Sequence, residues 1–198
     1  MELKYEVPGW TQIYSMMLNL AGKIDKSDFE PEIILGVSRG GWVPARVLSD
    51  LLCNPNLANA KAEFYSGIAE TKGEPTITQS VSMSVDGRKV LIVDEVVDSG
   101  KTLNLVKEHV VDQGAREVKT ATVYIKPWSI VRPDYYEKET KKWIVFPWEI
   151  KETLRKIIEK RIGGGKFKRE ETAAFVKAGL PAQLVKRFVK EILEEEKC

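Results

Sequence analysis

Cysteine is nearly absent from this chain: among 198 residues there are two, Cys53 inside an apolar stretch and Cys198 at the terminus. Two thiols so far apart exclude a disulfide framework and a cysteine-built metal site, and they fit a reducing compartment. Histidine is scarcer still. His109 stands alone, on a segment read as helix, where a surface or packing role leaves histidine-based catalysis little support. No run approaches 18 apolar residues, and Met1 to Glu6 lack the apolar region of a signal peptide, so the expectation is a soluble, cytoplasmic protein with no membrane contact. A dominant charge is missing too. Lys and Arg number 31 against 29 Asp and Glu, a formal net charge of +2, which makes no global case for nucleic acid. From Ile150 onward, 13 basic and 8 acidic residues leave the tail at +5 and the body at −3, a mild split. Disorder-prone composition is also lacking, and 43% hydrophobic residues suffice to close the core of one ordinary domain with a small appendage.

What is present centres on residues 90–102. Val90, Leu91, Ile92 and Val93 form a continuous apolar run that ends abruptly in Asp94 and Glu95, the pattern of a parallel strand buried on both faces with acids at its carboxyl end. In open α/β sheets that edge is where ligands bind. Asp98-Ser-Gly-Lys-Thr102 follows, and then Leu103, Val106 and Val110 recur at helical spacing. A strand, a polar loop and a helix start make a phosphate cradle: Gly100 lets the backbone approach an anion, the first helical amides point at it, and the Ser99 and Thr102 hydroxyls add hydrogen bonds. A P-loop would need glycine where Glu95 stands. The acids instead suit a ligand that carries a phosphate beside sugar hydroxyls, either accepting from the hydroxyls or holding a divalent cation.

A second strand, Ile33–Val37, runs into Ser38-Arg-Gly-Gly41 before a helical pattern through Val43, Val47, Leu48 and Leu51, with Pro44 in its first turn. Paired glycines and the permanent fork of donors on Arg39 suit pyrophosphate. Trp10–Ile24 carries Ile13, Met16, Met17, Leu20 and Ile24 as a core-facing helical stripe. Lys61–Tyr65 reads as a third strand, and Ser66–Gly87 as a long polar loop interrupted by the alternation Val81, Met83, Val85, which fits a lid or a hairpin. After a helix over Thr102–Gln113 capped by Gly114, the strand Glu117–Ile125 ends in Lys126-Pro127. Further on lies the aromatic-rich segment Lys142–Glu149. An amine at a strand end near an exposed indole suits a planar heterocycle bearing a carbonyl.

These stretches resemble one family. Asp94-Glu95-Val-Val-Asp98-Ser-Gly-Lys-Thr102 is similar to the phosphoribosyl-pyrophosphate (PRPP) motif of the type I phosphoribosyltransferases. Ser38-Arg-Gly-Gly41, Lys126-Pro127 and Trp143-Ile144-x-x-Pro147-Trp148-Glu149 resemble segments of their 6-oxopurine branch, the xanthine-guanine enzymes above all. The resemblance covers residues 4–149. It implies an α/β fold with a Rossmann-like central parallel sheet flanked by helices, and a small hood near Lys126–Glu149. Residues 1–149 would then be the transferase domain and 150–198 a helical C-terminal extension. It implies transfer of the phosphoribosyl group of PRPP to guanine, xanthine or hypoxanthine, with Mg2+ as cofactor, a dimeric or tetrameric assembly and a loop closing ahead of the PRPP motif.

The resemblance also distributes roles. Asp94 and Glu95 would hold the ribose hydroxyls, Glu95 also touching the metal, while Ser99, Gly100, Lys101 and Thr102 would grip the 5-phosphate. Asp98 would face purine N7 as the catalytic group. Ser38, Arg39 and Gly40 would bind pyrophosphate, with a cis peptide at Ser38-Arg39. Lys126 would contact the 6-oxo group, Trp143 would stack on the base, and the main chain of Ile144 would lie near its 2-position. Two departures stand out: Glu149 replaces the usual Asp, and the Trp128–Arg132 segment is longer than in the bacterial enzymes.

Two rival readings remain. One is a PRPP- or nucleotide-sensing regulator that binds nucleic acid through its basic tail; the intact Lys126 and Trp143 segments argue for the enzyme instead. The other is a transferase for a different base. In the tail, Ile150–Ile162 and Glu170–Glu196 read as helices separated by Gly163–Gly165, with a break at Gly179-Leu-Pro181. Glu194–Glu196 dilute any basic footprint there.

Overall fold

The computed structural model describes residues 5–64, 73–162, 173 and 175–195. In chain order the strands are β1 (Tyr5–Glu6), β2 (Ile33–Ser38), β3 (Leu57–Phe64), β4 (Pro75–Gln79), β5 (Lys89–Val97), β6 (Glu117–Ile125), β7 (Tyr135–Glu139) and β8 (Trp143–Ile144). The helices are α1 (Trp10–Asp25), α2 (Trp42–Leu51), α3 (Lys101–Asp112), α4 (Ile150–Ile162) and α5 (Ala182–Glu195). The chain divides into two compact units, Ile13–Lys141 and a smaller one made of Met1–Gln12 with Lys142–Cys198.

The larger unit is a six-stranded sheet in the order β4-β3-β2-β5-β6-β7 with flanking helices. Val90–Val93 are fully buried, because β5 is paired on both edges, to β2 (Ile33↔Val90) and β6 (Val93↔Ala121), both parallel. Parallel strands of this kind carry unbroken apolar runs, which is why this run was readable. The α1 stripe is buried as its spacing requires, and so are Leu103, Val106 and Val110 of α3. On α2 the expectation needs correction: Pro44, Ala45, Leu48 and Ser49 are buried, while Val43, Val47 and Leu51 are only half-buried. A Cβ on Gly36 would lie 2.9 Å from that of Ala45, so the helix makes its closest approach to β2 through two small residues and turns that face inward.

Three strand expectations also change. The third strand begins at Leu57 rather than Lys61, with Ala58 and Ala60 buried. Pro75–Gln79, inside the expected long loop, pairs antiparallel with β3, as Phe64↔Pro75 and Ala62↔Ile77. The Val81/Met83/Val85 alternation is not a strand, although Val85 is buried. Of the Ser66–Gly87 segment expected as a lid or hairpin, residues 66–72 lie outside the described ones. β7 was not expected; it adds to β6 in parallel (Ala121↔Tyr135).

In the smaller unit β1 and β8 pair in parallel (Tyr5↔Trp143, Glu6↔Ile144), and the Val145 amide donates to the Glu6 carbonyl at 2.9 Å. Its core gathers Val145, Leu154, Ile158, Phe175, Val185 and Ile192. Helix α4 has the expected bounds, and Gly179, at φ 108, makes the expected break before α5. Lys151 pairs with Glu191 at 2.7 Å, and Arg155 pairs with Glu195. The start of the helix expected at Glu170 lies outside the described residues. No described helix is long and apolar enough to cross a membrane.

Candidate active site

Buried strand β5 delivers its acids and the following turn to the carboxyl edge of the sheet. The turn is tight because Gly100 sits at φ 88, in the left-handed region. A Cβ there would lie 2.8 Å from Ser129 Oγ and 2.9 Å from the Val131 nitrogen, so glycine is required by conformation and by space. Ser99 Oγ accepts the Lys101 amide at 3.3 Å, and the Gly100 carbonyl accepts the Asn104 amide at 3.0 Å, which starts α3. The N-cap residue is glycine and supplies no side-chain cap. The turn and the first residues of α3 line a cavity of about 590 Å3, together with Asp94, Phe64 and Trp128 among others. Amides without an internal partner at the positive end of a helix bind an anion.

Beside the cradle stand the two acids. The Glu95 amide donates to Asp94 Oδ1 at 3.0 Å. Burial raises the Asp94 carboxyl above its ordinary value, and burial followed by the Asp94 charge pushes Glu95 well above its own. Two carboxyls this close and this dry resist being ionised together. Glu95 Oε2 is buried and makes no hydrogen bond among the described residues. An orphaned buried carboxylate oxygen fits a cation ligand, and Mg2+ is commonly held by one or two carboxylates together with substrate oxygens. Among the described residues no group of three or more His, Cys, Asp or Glu could by itself hold a metal ion.

Across β5 from the cradle, β2 ends in the cis peptide Ser38-Arg39 that the resemblance implied. The loop then presses on the acids: a Cβ on Gly40 would fall 2.0 Å from Glu95 Oε1. Arg39 is exposed, and its charge helps hold Glu63 below the usual carboxylate range, after the larger effect of the Lys61 hydrogen bond. The Ser38–Gly41 loop and the acidic pair are thus neighbours in space, although more than 50 residues apart in sequence.

At the far side, β6 is followed by Lys126, a lysine only 7% exposed. Its amide donates to the Val97 carbonyl at 2.9 Å, which ties the end of β6 to the end of β5. Trp128 Nε1 donates to Asp98 Oδ1 at 2.7 Å. The Lys126 ammonium lies 5.7 Å from the centre of the same indole ring. The longer segment after Trp128 is pinned by Asp134, whose Oδ2 accepts the Thr120 amide and hydroxyl, each at 2.8 Å. Burial would raise this carboxyl, but the Thr120 hydrogen bonds and Lys119 outweigh it and hold it low.

The larger unit therefore brings together Ser38–Gly40, Asp94, Glu95, Asp98–Thr102 and Lys126. Trp143 and Ile144 belong to the smaller unit, where the Trp143 ring is 53% exposed and Ile144 is buried. Trp148 is half-buried, its ring stacked on Phe146 with centroids 4.8 Å apart. Glu149 Oε1 accepts the Phe146 amide at 3.4 Å. Sequence reasoning missed two partners: Glu74, whose carboxylate pairs with Lys101, and Trp128 as the donor to Asp98. The only signal for the latter was the unusual length of its segment.

Comparison with known proteins agrees with this geometry. The phosphoribosyl transferase domain matches residues 9–155. The chain is 31% identical over 146 residues to the xanthine-guanine phosphoribosyltransferase of Cereibacter sphaeroides, an alignment covering 71% of this chain and 84% of that one. With the hypoxanthine-guanine phosphoribosyltransferase of Lactococcus lactis it shares 31% identity, over 58% and 65% of the two chains. Among solved structures, the purine phosphoribosyltransferase of Pyrococcus horikoshii superposes with a TM-score of 0.67 at 41% identity, covering 74% of this chain and 95% of that one. A match over most of the chain, on a sheet whose carboxyl edge carries the acids and the anion cradle, shows that the chain belongs to the phosphoribosyl transferase family.

Proposed function

We propose that this enzyme transfers the phosphoribosyl group of PRPP to a 6-oxopurine, giving a purine nucleoside monophosphate and pyrophosphate. The observation that carries the proposal is the convergence of three features on one sheet edge: the cradle turn at residues 98–102, the half-buried acids Asp94 and Glu95, and the cis loop pressed against Glu95. Ser99, Gly100, Lys101 and Thr102 anchor the 5-phosphate, while Asp94 and Glu95 accept from the ribose hydroxyls. Glu95, with its orphaned oxygen, would hold Mg2+, which when bound neutralises charge on the pyrophosphate group. The backbone at Ser38 and Gly40 and the Arg39 guanidinium receive the pyrophosphate as the C1′–O bond breaks and its electron pair leaves with oxygen. Purine N9 forms the new bond to C1′, and Asp98 accepts the proton from N7. Anchoring both ends of the sugar phosphate makes attack effectively intramolecular.

Lys126 donates to the 6-oxo group, Trp143 stacks on the base, and the Ile144 main chain reads its 2-position. In this reading residues 1–149 are the transferase domain with its hood and 150–198 a helical extension; the enzyme is cytoplasmic and forms a dimer or tetramer. The direct test is a panel of guanine, hypoxanthine, xanthine, adenine and pyrimidine bases with PRPP and Mg2+, following pyrophosphate release. Turnover with 6-oxopurines supports the assignment, and turnover confined to another base refutes it.

A further inference from the structure

Trp128 has no place in the chemistry above, yet it touches two of the groups that the chemistry uses. Its Nε1 donates to Asp98 Oδ1 at 2.7 Å, and the Lys126 ammonium lies 5.7 Å from its ring centre. It is also 54% exposed and lines the cavity. We propose that Trp128 is a positioning residue of the transfer reaction: its N–H holds the Asp98 carboxylate while its ring braces Lys126, so one side chain spaces the two groups that read the N7 and 6-oxo edge of the base. The inference rests on the roles proposed for Asp98 and Lys126.

The backbone makes this placement specific. The Lys126 amide donates to Val97, the Ser129 amide to the Lys126 carbonyl at 3.0 Å, and the Ile130 amide to the Ser99 carbonyl at 3.0 Å. The turn carrying the indole is therefore laced to both sides of the Asp98 turn, and the ring is delivered to the carboxylate rather than left to drift over the surface. Indole offers a donor and no acceptor, so it can pair only with the anionic oxygen and cannot compete with it for the proton from N7. A carboxylate has more than one lone-pair direction, so engaging Oδ1 leaves the group able to accept from the base. The ring face also attracts the Lys126 ammonium.

The test is steady-state kinetics of the full chain with PRPP, Mg2+ and a 6-oxopurine, comparing wild type, Trp128→Phe, Trp128→Ala, Asp98→Asn and the double variant Asp98→Asn/Trp128→Phe. Trp128→Phe keeps a ring for Lys126 and loses the donor, so kcat should fall about tenfold, the low end for one charge-assisted hydrogen bond, with KM for PRPP kept within about twofold. In the Asp98→Asn background the same change should cost less than about twofold, because the group it orients is already gone. Trp128→Ala should in addition raise KM for the base several-fold. Wild-type kcat in Trp128→Phe overturns the inference, as does an equal loss in both backgrounds, which would mean that the residue acts on something other than Asp98. If the wild type itself makes no nucleoside monophosphate, the function proposed above fails and this inference fails with it; an active wild type with an indifferent Trp128→Phe sinks this inference alone.

Discussion

Two strand-to-helix turns meet at the sheet edge, and their glycines answer different demands. In the β5–α3 turn, Gly100 is held at φ 88 with the Val131 backbone 2.9 Å from where a Cβ would stand; the need is conformational and the obstacle cannot move. In the β2–α2 turn, Gly40 has no left-handed φ, and its obstacle is the Glu95 carboxylate, the movable end of a side chain. The first glycine therefore serves the fold of the cradle, and the second leaves room for the Glu95 carboxylate. Substitutions in the two turns should separate stability from activity.

The largest effect is expected at Asp98, the group proposed above as catalytic. Asp98→Asn should lower kcat about 100-fold, the scale of a lost general base, with PRPP affinity measured by isothermal titration largely kept; unchanged turnover would remove Asp98 from the chemistry. Next, Gly100→Ala should cost about 2 kcal/mol, from the left-handed backbone and the contact with Val131. For a chain of this length that is a fall of roughly 4–8 °C in Tm by calorimetry. Gly40→Ala should leave Tm within about 2 °C while displacing Glu95, raising KM for PRPP about tenfold. A large loss of Tm in this variant would erase the contrast between the turns.

The smallest effect concerns Glu95 itself. Its carboxyl is raised well above the ordinary 4.5, first by burial and then by the Asp94 charge, so the folded chain holds that proton more tightly than the unfolded one. The associated stability is complete below the unfolded value and is lost as pH rises through the raised one. Without metal, Glu95→Gln should therefore match the wild type in Tm near pH 4.5 and exceed it at pH 8. Mg2+ with pyrophosphate should stabilise the wild type more than the variant. Parallel pH curves would contradict the buried-acid account.

How much of this was legible in the sequence depended on the kind of signal. Val90–Val93, the α1 stripe and the α3 stripe are apolar patterns whose period reports the environment, and all three stand where the pattern put them. Strand β7, Tyr-Tyr-Glu-Lys-Glu, carries three charges because it lies at a sheet edge, where one side needs no partner; a pattern reading has nothing to register there. The opening residues of β3, Leu-Ala-Asn-Ala, hide in the same way, since small residues sit buried without a hydrophobic run. For the site, the acids and the cradle were readable from local spacing and the cis peptide only through the family resemblance, whereas the Trp128–Asp98 bond spans 30 residues and exists only because β6 lies beside β5. Contacts set by strand order cannot be seen before the strand order is known.

The most direct test of the central claim is a crystal structure of the full chain with a purine nucleoside monophosphate. The 5′-phosphate should accept hydrogen bonds from the backbone amides of residues 99–102, with the ribose hydroxyls at Asp94 and Glu95. A phosphate lodged at any other place, with that turn empty, would contradict it.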